Sequence, residues 1–127
     1  MAFVYEYLML TLQQAHSIGQ NWVEKWNENH LTAYCSLYDE NAEELSSLAN
    51  RLIRISNGHI KGKNILFCYW QLLRAVFPDN KYELKNVHVD NDDVIVYFTM
   101  NGLNTNAIAK MSINEQQKIE RILICHV

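Results

Sequence analysis

The feature that most limits the fold is a change of hydrophobic period at Pro78. Before it, apolar residues recur every three or four positions. After it, they run in β-branched and aromatic stretches broken by polar turns. Leu8, Leu12, Ala15, Gly19, Trp22 and Trp26 step by four, three, four, three and four, which predicts one stripe of a long helix. Asn27-Glu28-Asn29 interrupts that pattern, with Asn29 as the expected N-cap of a short second helix. Leu31, Tyr34, Cys35 and Tyr38 share the face of that helix, and Asp39-Glu40-Asn41 reads as its end. Residues 42–50 carry no clear pattern. Ile53 and Ile55 predict a short strand over 51–56, closed by the turn signal Asn57-Gly58. A third helix is expected over 62–77, with Ile65, Tyr69, Leu72 and Val76 on its stripe, flanked by Leu66 and Leu73, and Pro78 stopping it.

The remainder reads as a meander. Tyr82, Leu84, Val87 and Val89 mark one strand, and Val94-Ile95-Val96-Tyr97-Phe98 a second beyond the polar turn 90–93. Residues 107–113 and 119–125 supply two more, joined at Asn114-Glu115-Gln116. Helices followed by a meander predict an α+β fold with an antiparallel sheet. Val94 to Phe98 and Ile122 to Cys125 are apolar at every position, whereas a sheet with one wet face alternates. That predicts cover on both faces: helices on one, and on the other a second subunit, the C-terminal tail or the 42–50 segment.

The chain has 127 residues, 49% of them hydrophobic, with no repeat and no low-complexity tract, so residues 1–127 are expected to form one domain. A net charge of −3 argues against a nucleic-acid or anionic-membrane partner, since a polyanion requires a basic face. Cys35, Cys68 and Cys125 are odd in number and far apart, which fits a reducing, cytoplasmic location. The first six residues lack the basic n-region of a secretory leader, and no apolar run is long enough for a membrane span.

Several phrases, in order, resemble the nuclear transport factor 2-like superfamily, in particular its SnoaL-like branch. They are 26–31 (Trp-Asn-Glu-Asn-His-Leu), 37–42 (Leu-Tyr-Asp-Glu-Asn-Ala), Gly62-Lys63-Asn64-Ile65 with 69–73 (Tyr-Trp-Gln-Leu-Leu), Phe77-Pro78-Asp79 with Tyr82-Glu83-Leu84, and 117–122 (Gln-Lys-Ile-Glu-Arg-Ile). The resemblance implies a cystatin-like cone: three N-terminal helices packed on a curved antiparallel sheet, with an apolar pocket at the open end. It also implies a homodimer through the outer sheet face. Superfamily activities range from ketosteroid isomerisation, polyketide ring closure, dehydration and epoxide hydrolysis to no chemistry at all.

Enzymes of this kind need a carboxylate in the cone, as a base next to a carbonyl or to activate water. This sequence departs from that pattern. His30 and Asn41 stand where related sequences often have acids, and the last strand finishes Ile124-Cys125-His126-Val127 with no carboxylate. The remaining catalytic candidates are Asp39 and His126; their structural alternatives are a helix-end residue satisfied by a turn and a terminal-strand histidine facing water. Trp22, Tyr34, Tyr38, Trp70 and Tyr97 are candidates for ligand binding, the tyrosines also as phenol donors to an oxyanion, with core packing as the alternative for each. His88 reads as a surface residue. No metal-ligand spacing or phosphate loop occurs, so no metal and no cofactor is expected. The expected function is binding of a small apolar metabolite. The alternatives are proton-transfer isomerisation, cyclisation or water addition on a small carbonyl compound, and a protein-interaction or dimerisation module.

Overall fold

Helix α1 spans Leu12–Asn27 and opens with a capping box, in which Thr11 and Gln14 each accept from the other's backbone N–H. The structure, a computed structural model, describes residues 10–127; the leader reading of residues 1–6 and the place of Leu8 on the helical stripe lie outside the described residues. Ala15, Gly19, Trp22, Val23 and Trp26 are buried along α1. Gly19 sits there because a Cβ would stand 3.0 Å from a Val87 methyl and 3.2 Å from a Val96 methyl, so the helix rests close on the sheet.

Asn29 does not cap the second helix. It takes a left-handed conformation (φ 61°), and His30 is the N-cap of α2 (Leu31–Cys35), its Nδ1 accepting from the Ala33 N–H. The helix is one residue longer than a turn and Tyr38 already begins a strand, β1 (Tyr38–Ser46). The strand expected over 51–56 is instead helix α3 (Ser47–Leu52) and a 3-10 turn (Arg54–Ser56). Ser46 caps α3, its hydroxyl accepting from the Leu48 and Ala49 N–H groups, and this local cap outweighs the two isoleucines. Ile55 ends 92% exposed. After the Asn57-Gly58 turn come β2 (His59–Lys61) and α4 (Lys63–Val76). The buried stripe of α4 is Leu66, Tyr69, Trp70 and Leu73, while Ile65, Leu72 and Val76 face outward. The strands β3 (Tyr82–Asp90), β4 (Asp93–Met100), β5 (Thr105–Ile113) and β6 (Ile119–His126) follow the predicted meander.

The expectation of three N-terminal helices on a curved antiparallel sheet needs correction. The six strands form one open sheet in the order β2-β1-β6-β5-β4-β3, which is not strongly curled, and β1 pairs with β6 in parallel. The helices are interleaved: β1 and β2 precede α3 and α4, respectively. The hidden strand was β1, whose polar residues 39–41 look like a loop. Those residues belong to a long irregularity, in which residues 39–42 stand opposite the single residue Glu120 between the pairs Tyr38–Ile119 and Glu43–Arg121. Helix α1 covers β3 and β4, and α4 covers β1 and β2.

The central strands alternate after all. Val94, Val96, Phe98, Ile122 and Ile124 are buried beneath the helices. On the outer face Tyr97 is 37% and Leu123 is 41% exposed.

Candidate functional site

Where α1, α2 and α4 meet the sheet, aromatic side chains cluster within the core. Trp22, Trp26, Tyr34, Tyr38, Tyr69 and Trp70 are all 2% exposed or less. Trp26 stacks on Tyr82 (centroids 4.9 Å, planes 11° apart), and Trp22 meets Phe98 edge-on at 5.1 Å. Tyr34 and Tyr38 pack on Trp70 at 4.8 and 4.6 Å. The polar atoms of these rings bond to one another. Trp22 Nε1 donates to the Tyr38 hydroxyl at 2.9 Å, and the Tyr34 and Tyr38 hydroxyls lie 2.8 Å apart. Burial raises the pKa of Tyr34, Tyr38, Tyr69 and Tyr82, so these phenols stay neutral.

Glu44 lies inside this aromatic cluster. Once β1 recovers its register at Glu43, the two-residue period turns Ala42, Glu44 and Ser46 inward, with Glu44 paired to Ile60 of β2 and Ile122 of β6. The residue is 2% exposed. Trp70 Nε1 donates to its Oε1 at 3.4 Å, and no second donor reaches the carboxyl from the described residues. Burial pushes the Glu44 pKa up to about 7, against the smaller opposing effect of the Trp70 bond. A small chamber opens beside it. Tyr34 and Tyr82 line it on one side, Ser46 and Leu48 on another, Tyr69, Trp70 and Leu73 from α4, and Met100 and Ile124 from the sheet. Its free space, about 10 Å³ for the centre of a water-sized sphere, admits one such group. A wider groove of about 430 Å³ runs over the surface between the start of α1 and the start of β6, away from the carboxyl.

Of the residues singled out from sequence, the structure brings Trp22, Tyr34, Tyr38 and Trp70 together in the aromatic cluster, where Tyr34 and Trp70 line the chamber and Trp22 and Tyr38 do not. Tyr97 is on the opposite face of the sheet, edge-on to His88 at 5.3 Å. Asp39 lies outside the chamber, its Oδ2 accepting from the Asn41 N–H and its Oδ1 from the Asn114 side chain at 3.3 Å. His126 shares the inner face of β6 with Ile124 but does not line the chamber. Its Nε2 is buried without a partner among the described residues, and burial, aided by the charge of Arg51, lowers its pKa. Glu44 was missed because 42–50 lacked an evident pattern. The available signal was its two-residue spacing from Ala42 and Ser46.

A match to the SnoaL-like domain family covers residues 20–116. The chain belongs to the SnoaL-like family. This places it within the nuclear transport factor 2-like superfamily, as the sequence phrases had indicated. Among solved structures, the SnoaL-like domain is similar to a SnoaL-like protein of unknown function from Burkholderia thailandensis, at 19% identity and TM-score 0.88, over 94% of this chain and 98% of that one. It is also similar to a candidate isomerase of the SnoaL-like family from Agrobacterium tumefaciens, at 15% identity and TM-score 0.74, over 91% and 99% of the two chains. A third structure, a protein of unknown function with a cystatin-like fold from Methylobium petroleophilum, aligns at 10% identity and TM-score 0.73, over 94% and 79%. At these identities the likeness establishes the fold alone. The sequence matches no curated protein.

Proposed function

We propose that this SnoaL-like domain binds a small molecule at the aromatic cluster and that Glu44, beside the chamber, is the group that recognises it. The carrying observation is the buried Glu44 carboxyl beside a chamber, with a single hydrogen bond to satisfy it. A buried, poorly satisfied carboxyl costs stability, and its presence in a core of rings fits a binding role. Amide and indole NMR spectra of the protein titrated with a library of small molecules test this. Binders are expected to shift the Trp70 and Trp22 indole signals, and Glu44→Gln to alter binding while Asp39→Asn and His126→Ala leave it unchanged. Binders that move only residues of the surface groove, such as Ser17 and Gln117, would overturn the reading.

A second reading, proton transfer on a small carbonyl compound, is favoured by the pKa of Glu44, near the value a general base or acid uses at neutral pH. The similarity to the candidate isomerase from Agrobacterium tumefaciens supports it. Deuterium exchange next to the carbonyl of simple ketones, lost in Glu44→Gln, is its test; loss in Asp39→Asn or His126→Ala instead would move the base to those residues.

The reading extends to assembly and location. The half-exposed row Tyr97, Ile108 and Leu123 on the outer face suits a second copy of the chain, measurable by sedimentation. The three cysteines are free, which supports a cytoplasmic location. No helix among the described residues is long and apolar enough to cross a membrane.

A further inference from the structure

We infer that the outward face of α4 is an interface on which two copies of the chain pair, helix against antiparallel helix, about a two-fold axis level with Trp70. The pairing is independent of the ligand reading and of the outer sheet face, which lies on the other side of the sheet from α4.

Exposure defines the face. α4 buries Leu66, Tyr69, Trp70 and Leu73, while Ile65, Cys68, Leu72, Ala75 and Val76 are exposed along its length. Ile65 is 58% and Val76 46% exposed. Ile65, Cys68, Leu72 and Ala75 step by three, four and three, the spacing with which apolar positions line a seam between two helices. A single exposed apolar side chain needs no explanation, but a row along the whole 14-residue helix does.

Charge admits a second copy. The charged residues of α4 are Lys63 and Arg74, and both are engaged elsewhere. Lys63 pairs with Glu40 at 3.8 Å, and Arg74 lies over the Trp26 ring and donates to Asn29 Oδ1 and to the Trp26 carbonyl. The row is bordered by exposed Asn64 and Gln71. Their amides donate and accept alike, so each suits an identical amide across a two-fold axis. A strongly charged partner finds no counter-charge on this face, whereas a copy of the same face meets no like charge.

Shape sets the direction. In the antiparallel pair Ile65 meets the partner's Ala75, and Cys68 meets the partner's Leu72. Each layer sets a large side chain against a small one, which lets the helices approach to about 8 Å. A parallel pair would set Ile65 on Ile65 and Ala75 on Ala75, crowded in one layer and void in another. It would also align the two helix dipoles, which the antiparallel pair opposes. The exposed residues of one helix fall short of the roughly 20–30 that each side of a standard interface supplies, so the pairing is weak and depends on concentration.

Two measurements on the whole protein test it. Leu72→Cys places a thiol opposite the partner's Cys68. Air oxidation with copper phenanthroline should then give a covalent dimer, in which peptide mapping finds position 72 joined to the partner's Cys68. Sedimentation equilibrium of Leu123→Glu, which sets the outer sheet face aside, should show a reversible dimer between about 10 µM and about 1 mM. Adding Leu72→Glu or Ile65→Glu should weaken that dimer at least about tenfold. Both side chains are exposed, so neither change threatens the fold. A Leu123→Glu protein that stays monomeric over this range would overturn the α4 interface and leave the outer-face pairing standing. Association that ignores both added charges, or a disulfide at position 72 that bypasses Cys68, would overturn it as well. The cross-link is made on a chain that keeps Leu123, so it decides the matter even if Leu123→Glu fails to fold.

Discussion

Trp70 on α4 donates its indole N–H to the carboxyl of Glu44 on β1, 3.4 Å away, and so joins the helix to the strand through the most buried acid of the described core. The partnership is unequal. One long hydrogen bond does little to offset desolvation, and Glu44 keeps its proton to about pH 7.

Stability should therefore fall as pH rises. The folded protein holds the Glu44 proton more tightly than the unfolded chain, whose carboxyl titrates near the ordinary value of 4.5. The contribution is full below that value and is lost as pH rises through 7, a difference of about 3 kcal/mol. Denaturant melts at pH 5 and pH 8 will measure it. Glu44→Gln should flatten this part of the profile and be the more stable protein at pH 8.

Tyr38→Phe removes the hydroxyl that accepts from Trp22 and pairs with Tyr34. A buried indole N–H then lacks its partner, and a loss of about 1–3 kcal/mol is expected. In a double-mutant cycle with Trp22→Phe the two losses should not add, since both remove the same bond.

Gly102→Ala places a methyl 2.7 Å from Asn80 Cα and 2.9 Å from Asn80 N. These are backbone atoms and cannot swing aside. The Gly102 N–H to Asn80 Oδ1 bond is strained at the same time. Chemical denaturation should show a loss of about 1–3 kcal/mol.

Ile55→Ser should change stability by no more than about 0.5 kcal/mol, because the side chain is 92% exposed. An inward-facing strand residue, as the sequence pattern predicted, would instead lose about 2 kcal/mol or more. One melting curve separates the two placements.

The second half of the fold was legible because its code is local. Val94, Val96 and Phe98 keep a two-residue period, and the polar turn 90–93 closes the hairpin where expected. Helix α1 was equally plain from Ala15, Gly19, Trp22 and Trp26. The α4 stripe was misplaced toward Ile65, Leu72 and Val76, since an apolar helix offers more than one candidate face and only the partner strands choose between them. β1 was hidden for a different reason. Its first residues are charged and bulged, and its pairing partner lies at the far end of the chain. With the strand went the site. Trp22, Tyr34, Tyr38 and Trp70 could be named from their residue types, whereas Glu44 acquires its meaning from a pairing that no local window contains.

That pairing has a consequence for biosynthesis. β6 lies between β1 and β5, so the middle of the sheet is missing until residues 119–126 have left the ribosome. Until then the β1–β2 pair, with Glu44 on its future inner face, has no β6 beside it, and its open edge is free to pair with other chains. Deleting the eight residues of β6 would remove the strand that joins the two halves of the sheet. It would divide the sheet into two unconnected pieces and leave a nascent product fit for a chaperone or a protease.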